Sequence, residues 1–303
     1  MATTLKKQNI KYTPTRMINV TCPFCGGKSN KIFERFGPQN FYTYVKCDNC
    51  SLVYLNPRPE YDRSFVETAY EDYAEDNAFY QSGELNNQDK TALEHNNFII
   101  QQIESKLGFK GRLLEIGCAT GLFLQASKNN GWKDIIGIDV SNKMIEFIKN
   151  RLGINAIVAN YEDYIFEDNK KLDVIYCSHV IEHIPFPNKW MEKIKRDLSE
   201  DGLLVINVPN QISLDRVIKR FINKYLIDLR KWEGWRTPDH MYEPSVTSMK
   251  YLFQKHNFDL LDTFTYSKNE HLGQTIVDRI FHHYLKLGSK IRFFVKNKNT
   301  RRT

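Results

Sequence analysis

The chain has 303 residues, 41% of them hydrophobic and 26% charged, with a formal net charge of +7. This is ordinary globular usage, which excludes a wholly disordered or fibrous chain and leaves room for one large domain or two smaller ones. No apolar run approaches the roughly 20 residues of a membrane span, and the polar start MATTLKKQNIKY lacks the apolar centre of a signal peptide. Six cysteines are too few for a disulfide scaffold, so reduced thiols in a cytoplasmic protein are expected.

The charge is unevenly spread. Residues 1–60 carry +6, residues 61–110 carry −6 and residues 211–303 carry +9, with seven basic side chains from Lys286 to Arg302 facing no acid. Positive ends favour an anionic partner, whether nucleic acid, a phosphorylated glycan carrier or a lipid headgroup. The plainer reading, a solubilising tail, applies best to the last few residues.

In chain order, the first segment holds three short strand-like runs, KIFERF, FYTYVKC and LVYLN, among Cys, Gly and Pro. An acidic, Tyr-rich stretch from Tyr61 to Gly83 follows. Leu93, Phe98, Ile99, Ile103 and Leu107 then recur near helical spacing, with Gly108 as the stop. From Gly111 strands and helices alternate: GRLLEIG, helix LFLQASKNNG, IIGIDV, helix SNKMIEFIKNRLG, INAIVAN, LDVIYCS, helix PNKWMEKIKRDLSEDG and GLLVINV. Near-continuous apolar strands separated by helices indicate a parallel sheet covered on both faces. Another helix, SVTSMKYLFQKHNF, precedes the sixth strand DLLDTFTYS, and a further one, GQTIVDRIFHHYLKLG, precedes the seventh, KIRFFVKNK. The expected fold is α/β: a Rossmann-like seven-stranded doubly wound sheet with a small N-terminal module.

Cys22-Pro-Phe-Cys25-Gly-Gly and Cys47-Asp-Asn-Cys50 form two C-x-x-C pairs 21 residues apart. Two facing knuckles of this kind make a tetrahedral four-sulfur site for structural zinc, with no open position for catalysis. Cys118 and Cys177, at strand ends, read as small packing residues.

Leu113-Leu114-Glu115-Ile116-Gly117-Cys118-Ala119-Thr120-Gly121 falls where the first sheet strand turns into its helix. Gly117 and Gly121 allow a tight bend and close approach of a ligand. The spacing E-x-G-x-x-x-G differs from the dinucleotide fingerprint, whereas Asp139, ending the next strand, stands where a carboxylate can accept from both hydroxyls of a ribose.

These residues, with DVIYCSHVIEHIPFPNKW and LSEDGLLVINVPN downstream, resemble the class I S-adenosylmethionine-dependent methyltransferases over about residues 90–297. The resemblance implies that Glu115 orders the loop, that Gly117, Cys118, Ala119 and Gly121 face the methionine part of the cofactor, and that Asp139 and Val140 hold the ribose. It further places Asn160 and Tyr161 beside the adenine and Ser178 near the carboxylate. The front of the chain, C-P-x-C-G followed by C-x-x-C-S-L-V-Y-L-N-P-R-P, is similar to zinc-ribbon methyltransferases encoded with surface-polysaccharide biosynthesis, which implies a capping tyrosine; Tyr70 and Tyr73 are the candidates. The implied organisation is a zinc ribbon at 1–60, a Tyr-rich linker and helix capping the cofactor at 61–110, and the methyltransferase domain at 111–303 with an amphipathic insertion at 211–243.

Methyl transfer to a hydroxyl needs an aligned acceptor and a base. His179, Glu182 and His183 have the i, i+3, i+4 spacing of one helical face. The run resembles the E-x-x-E-H of ubiquinone-biosynthesis O-methyltransferases, where the trio can hold a divalent ion; here His179 replaces the first Glu. His240, in WRTPDHMYEPS, is the second candidate base. In the insertion Leu214, Val217, Ile218 and Phe221 share one helical face and Arg216 lies on the other, consistent with a lid, a core helix or an element resting on the inner face of a membrane. Three readings remain at this point: O-methylation of a sugar or other small polar acceptor in glycan assembly, methylation of RNA gripped by the basic ends, and a non-catalytic binding protein on the same fold.

Overall fold

The computed structural model describes residues 16–29, 31–36, 42–61, 82, 84–167, 170–214, 216–218, 221, 240–267 and 285–298. Tyr70, Tyr73, most of the 211–243 insertion and most of the helix expected at 273–288 lie outside them. The strands are β1 (Met17–Ile18), β2 (Ile32–Phe36), β3 (Tyr42–Lys46), β4 (Val53–Leu55), β5 (Arg58–Pro59), β6 (Arg112–Ile116), β7 (Asp134–Asp139), β8 (Asn155–Val158), β9 (Leu172–Ser178), β10 (Leu198–Pro209), β11 (Tyr242–Glu243), β12 (Phe258–Tyr266) and β13 (Lys290–Asn297). The helices are α1 (Asn87–Leu107), α2 (Leu122–Asn129), α3 (Asn142–Phe147), α4 (Pro187–Asp197) and α5 (Val246–Lys255).

Seven strands form the main sheet in the order β12-β13-β10-β9-β6-β7-β8. β8, β7, β6, β9 and β10 run parallel to one another, and β13 is antiparallel to both β10 and β12. The order reverses between β6 and β9, so a ligand crevice is expected outside their carboxyl ends.

The two-residue period of a strand explains the two cores. Leu113, Val174, Leu203, Val205 and Phe294 pack with Ile99, Ile100 and Ile103 of α1 and Phe123 and Leu124 of α2. Their neighbours Leu114, Ile175, Leu204, Ile206 and Phe293 face the other way, against Trp190, Met191 and Ile194 of α4 and Leu252 and Phe253 of α5. That second core continues without a break into Cys22, Phe24, Cys47, Cys50, Leu52 and Tyr54 of the N-terminal module.

Helix ends follow their capping chemistry. Asn86 and Asp89 form a capping box on α1, which stops at Gly108 with a left-handed φ of 84°. Ser245 and Ser248 cap α5. The helix expected over PNKWMEKIKRDLSEDG ends earlier, at Asp197. Leu198 is extended and pairs with Leu172, so the run LSEDG opens β10 through a register shift and is not the last helical turn. No helix among the described residues is long and apolar enough to cross a membrane.

The N-terminal module is an antiparallel sheet, β2-β3-β4, whose fourth strand is β11 from the far side of the insertion. The boundary expected at residue 60 is therefore bridged by strand pairing.

Candidate active site

The loop after β6 is bent by three residues with positive φ, Gly117 at 71°, Ala119 at 43° and Gly121 at 75°. A Cβ on Gly117 would stand 2.6 Å from Val180 Cγ2, so only glycine fits. Asp139 Oδ2 accepts from Ala119 N–H at 2.8 Å and Oδ1 accepts from Ser141 N–H at 3.0 Å. The carboxylate thus holds the loop against the start of α3.

Glu115 is 6% exposed, and its Oε2 has no hydrogen-bond partner among the described residues. Burial, and then the Asp139 charge, push its carboxyl well above the ordinary carboxylate range, and the Leu124 N–H offsets part of the shift. An orphaned acidic oxygen beneath a glycine cradle fits a nucleoside ligand with a cationic amino-acid tail. The folded-state value lies above that of the unfolded chain, so the carboxyl costs nothing below about pH 4.3 and progressively more above it. Glu115→Gln is therefore expected to raise the melting temperature of the cofactor-free protein at pH 8, with no gain at pH 4, and to weaken cofactor binding. A fall at pH 8 would contradict this account.

Cys118 and Cys177 are buried, and burial pushes both thiols up, so both pack as neutral side chains. Val140 follows Asp139 at the mouth of the crevice and is partly exposed. Ser178, ending β9, lies 3.4 Å from Asn207 Nδ2. Asn160 caps its own turn through Oδ1. Tyr161 is committed to the core: its hydroxyl donates to Asp197 at 2.9 Å and its ring meets Trp190 edge-on.

The structure corrects the expectation that His179, Glu182 and His183 lie on one helix. His179 has φ of 58°, and only one 3-10 turn, Ile181–His183, follows. His179 and Glu182 still meet, Nδ1 to Oε1 at 3.2 Å. Glu182 is fully buried; burial alone would raise its carboxyl, but the bond from His179 and the charges of His179, His183 and His240 outweigh it, pulling the value down to about 2. His183 meets the ring of His240 edge-on at 4.7 Å.

Two residues missed in the sequence complete this wall. Glu243, 1% exposed, accepts from His240 Nδ1 at 3.2 Å and from Arg216 at 2.5 Å. Arg216 was expected on the outer face of the insertion. It turns inward because a buried carboxylate requires a cation, while Val217, Ile218 and Phe221 are 45–58% exposed. Since a carboxylate can only accept, Nδ1 carries the proton in both His–Glu pairs, and Nε2 is the basic nitrogen. Asn207 and Arg292 were also missed. Asn207 bridges Tyr176 at 2.8 Å and Arg292 at 2.9 Å, and Arg292 reaches Gln102 of α1 at 2.8 Å. Their signal was a polar side chain inside an otherwise apolar strand.

Among the described residues, two groups of side chains could hold a metal. Cys22, Cys25, Cys47 and Cys50 bring their sulfurs within 4.8 Å of one another, with Cys22–Cys50 and Cys25–Cys47 both at 3.4 Å. A tetrahedral ZnS4 site has edges of about 3.8 Å. The hydrogen bond from Cys50 pulls the Cys22 thiol down to about 5, and the same bond, with burial, pushes Cys50 up. The pair shares one proton, which a cation would displace. Glu182, His183 and His240 also converge within 4.8 Å, and Glu182 Oε2 has no hydrogen-bond partner among the described residues.

A family model described as a methyltransferase domain matches residues 98–263, more than half of the chain. The chain belongs to this methyltransferase-domain family. A ubiquinone biosynthesis O-methyltransferase of Pelagibacter ubique is 30% identical over 164 residues, covering 50% of this chain and 67% of that protein. The Coxiella burnetii protein of the same name is 26% identical over 117 residues, covering 37% of this chain. The chain spans about half the length of the Coxiella relatives. In fold, the chain is similar to magnesium protoporphyrin IX methyltransferase from Synechocystis with bound SAH (TM-score 0.53, 13% identity, 78% of this chain and 100% of that one). It is also similar to an S-adenosylmethionine-dependent methyltransferase from Clostridium acetobutylicum (TM-score 0.51, 12% identity, 76% and 99%).

Proposed function

We propose that the protein transfers a methyl group from S-adenosylmethionine to a hydroxyl oxygen of a small polar acceptor, with His240 as the general base. The observation carrying this reading is the chain Arg216–Glu243–His240, in which a buried carboxylate fixes the orientation of the His240 imidazole.

The bound cofactor would supply an electrophilic methyl on a positively charged sulfur. Gly117 to Gly121 would cradle its amino-acid part, Asp139 would accept from the ribose hydroxyls, and Glu115 would face positive charge. His240 Nε2 would take the acceptor proton as the new O–C bond forms, and Glu243 would stabilise the resulting imidazolium. His179, paired with Glu182, lines the same wall and helps align the acceptor. As a second reading, the convergence of Glu182, His183 and His240 favours a divalent cation there, which would polarise the acceptor oxygen.

The four-cysteine module is proposed to hold structural zinc. A sugar acceptor, as in glycan assembly, is supported by the resemblance of the front module, whereas the names of the curated relatives support a phenolic hydroxyl. Incubating the protein with methyl-labelled S-adenosylmethionine and nucleotide sugars, catechol or RNA separates these. Label in a sugar or phenol, lost about 100-fold or more in His240→Gln, is the expected result; abolition by EDTA, with the rate restored by an added divalent cation, would favour the metal reading. Label in RNA alone would overturn the proposal.

A further inference from the structure

The wall that carries His240 is held in place by the N-terminal module. β11 pairs with β4 in the register Tyr242↔Tyr54 and Glu243↔Val53. The His240 carbonyl accepts from the Tyr44 hydroxyl at 2.9 Å, and the Met241 carbonyl accepts from Leu55 N–H at 2.9 Å. Tyr44 is fully buried, so its hydroxyl is committed to this bond. Phe24, between Cys22 and Cys25, meets the ring of Tyr242 edge-on at 5.2 Å. On its other side the segment is fastened to the base wall, where Met241 N–H donates to the Glu182 carbonyl at 2.9 Å.

The second cysteine knuckle is itself the turn between β3, which carries Tyr44, and β4. It is closed by Cys47 N–H to the Leu52 carbonyl at 2.8 Å and by Ser51 N–H to the Cys47 carbonyl at 3.0 Å. Whatever fixes Cys47 and Cys50 therefore fixes how Tyr44 and β4 present themselves to residues 240–243. The cofactor loop depends on a different set of contacts, with Gly117 N–H on Ile138 and Ala119 N–H on Asp139.

We propose that Tyr44 and β4 position His240, so that the four-cysteine module governs the acceptor half of the site and leaves the cofactor half independent. This rests on the reading of His240 as the base. Tyr44 acts as a positioning residue; it need not touch the acceptor.

The test uses the full-length metal-loaded protein, the same protein after removal of metal by a strong chelator, and the Tyr44→Phe variant. Three quantities are read: S-adenosylhomocysteine affinity by calorimetry, amide exchange of residues 240–243, and the imidazole nitrogen NMR signals of His240. Chelation is expected to speed exchange at 240–243 by about fivefold or more and to move His240 from its Nδ1-protonated form toward an averaged pair, with affinity held within about twofold. Tyr44→Phe is expected to keep its metal and its affinity yet shift the His240 signals, which loss of general stability alone would not do. Unmoved His240 signals and protection in both samples would overturn the proposal, as would loss of S-adenosylhomocysteine binding on chelation. A normal transfer rate in His240→Gln would remove the base reading but not the positional claim, which the same signals would still support.

Discussion

Asp139→Ala is expected to weaken S-adenosylhomocysteine binding by roughly 100-fold, the loss of about 3 kcal/mol that removing two charge-assisted hydrogen bonds implies. The loss has two sources. The carboxylate would no longer meet the ribose, and it would release the N–H groups of Ala119 and Ser141 that it now holds at 2.8 and 3.0 Å. The fold should persist, because Ile135, Ile136 and Ile138 anchor β7 in both cores. Asp139→Asn, which keeps one acceptor oxygen, should fall between the two. Calorimetry giving an unchanged affinity for the alanine variant, with a native circular dichroism spectrum, would refute the ribose assignment.

Cys47→Ser is expected to strip the proposed zinc and lower the stability of the whole chain. In small metal modules the apparent binding free energy, about 10–16 kcal/mol, is largely folding free energy. Cys47 is 1% exposed and packs in the core shared with Trp190 and Phe253, so its loss is expected to lower the melting temperature of the chain, while below that temperature the cofactor loop keeps its own contacts. Elemental analysis and a melting curve measure the two effects. A variant that kept its metal and its melting temperature would show that the four sulfurs serve some other purpose.

Much of the fold was legible because it rests on local regularities. Alternating apolar strands, a serine at position 141 before a helix and glycines at 108 and 153 after others each leave a mark within a few residues. The cofactor half was legible for the same reason: the bend at Gly117–Gly121 and the acid at 139 each end a strand. The acceptor half was not. Glu243 matters because Arg216 and His240 reach it, and Tyr44 because His240 lies against it, contacts separated by 27 and 196 residues. The end of α4 was misplaced because LSEDG is compatible with a last helical turn; only its pairing beside Leu172 makes Leu198 extended. His179, Glu182 and His183 fit a helical face in spacing, yet the positive φ at 179 breaks the helix before it starts.

The shared core also bears on how such a protein can be inherited. A front cassette joined by a loose tether could be exchanged between catalytic domains by recombination. Here Phe24 closes on Tyr242, Lys255 donates to the Phe24 carbonyl at 2.7 Å and Asn188 donates to the Pro23 carbonyl at 2.6 Å. A crossover between the two parts would bring together surfaces with no shared history, so the lineage is expected to transmit them as one block, with positions 24 and 242 changing together or not at all.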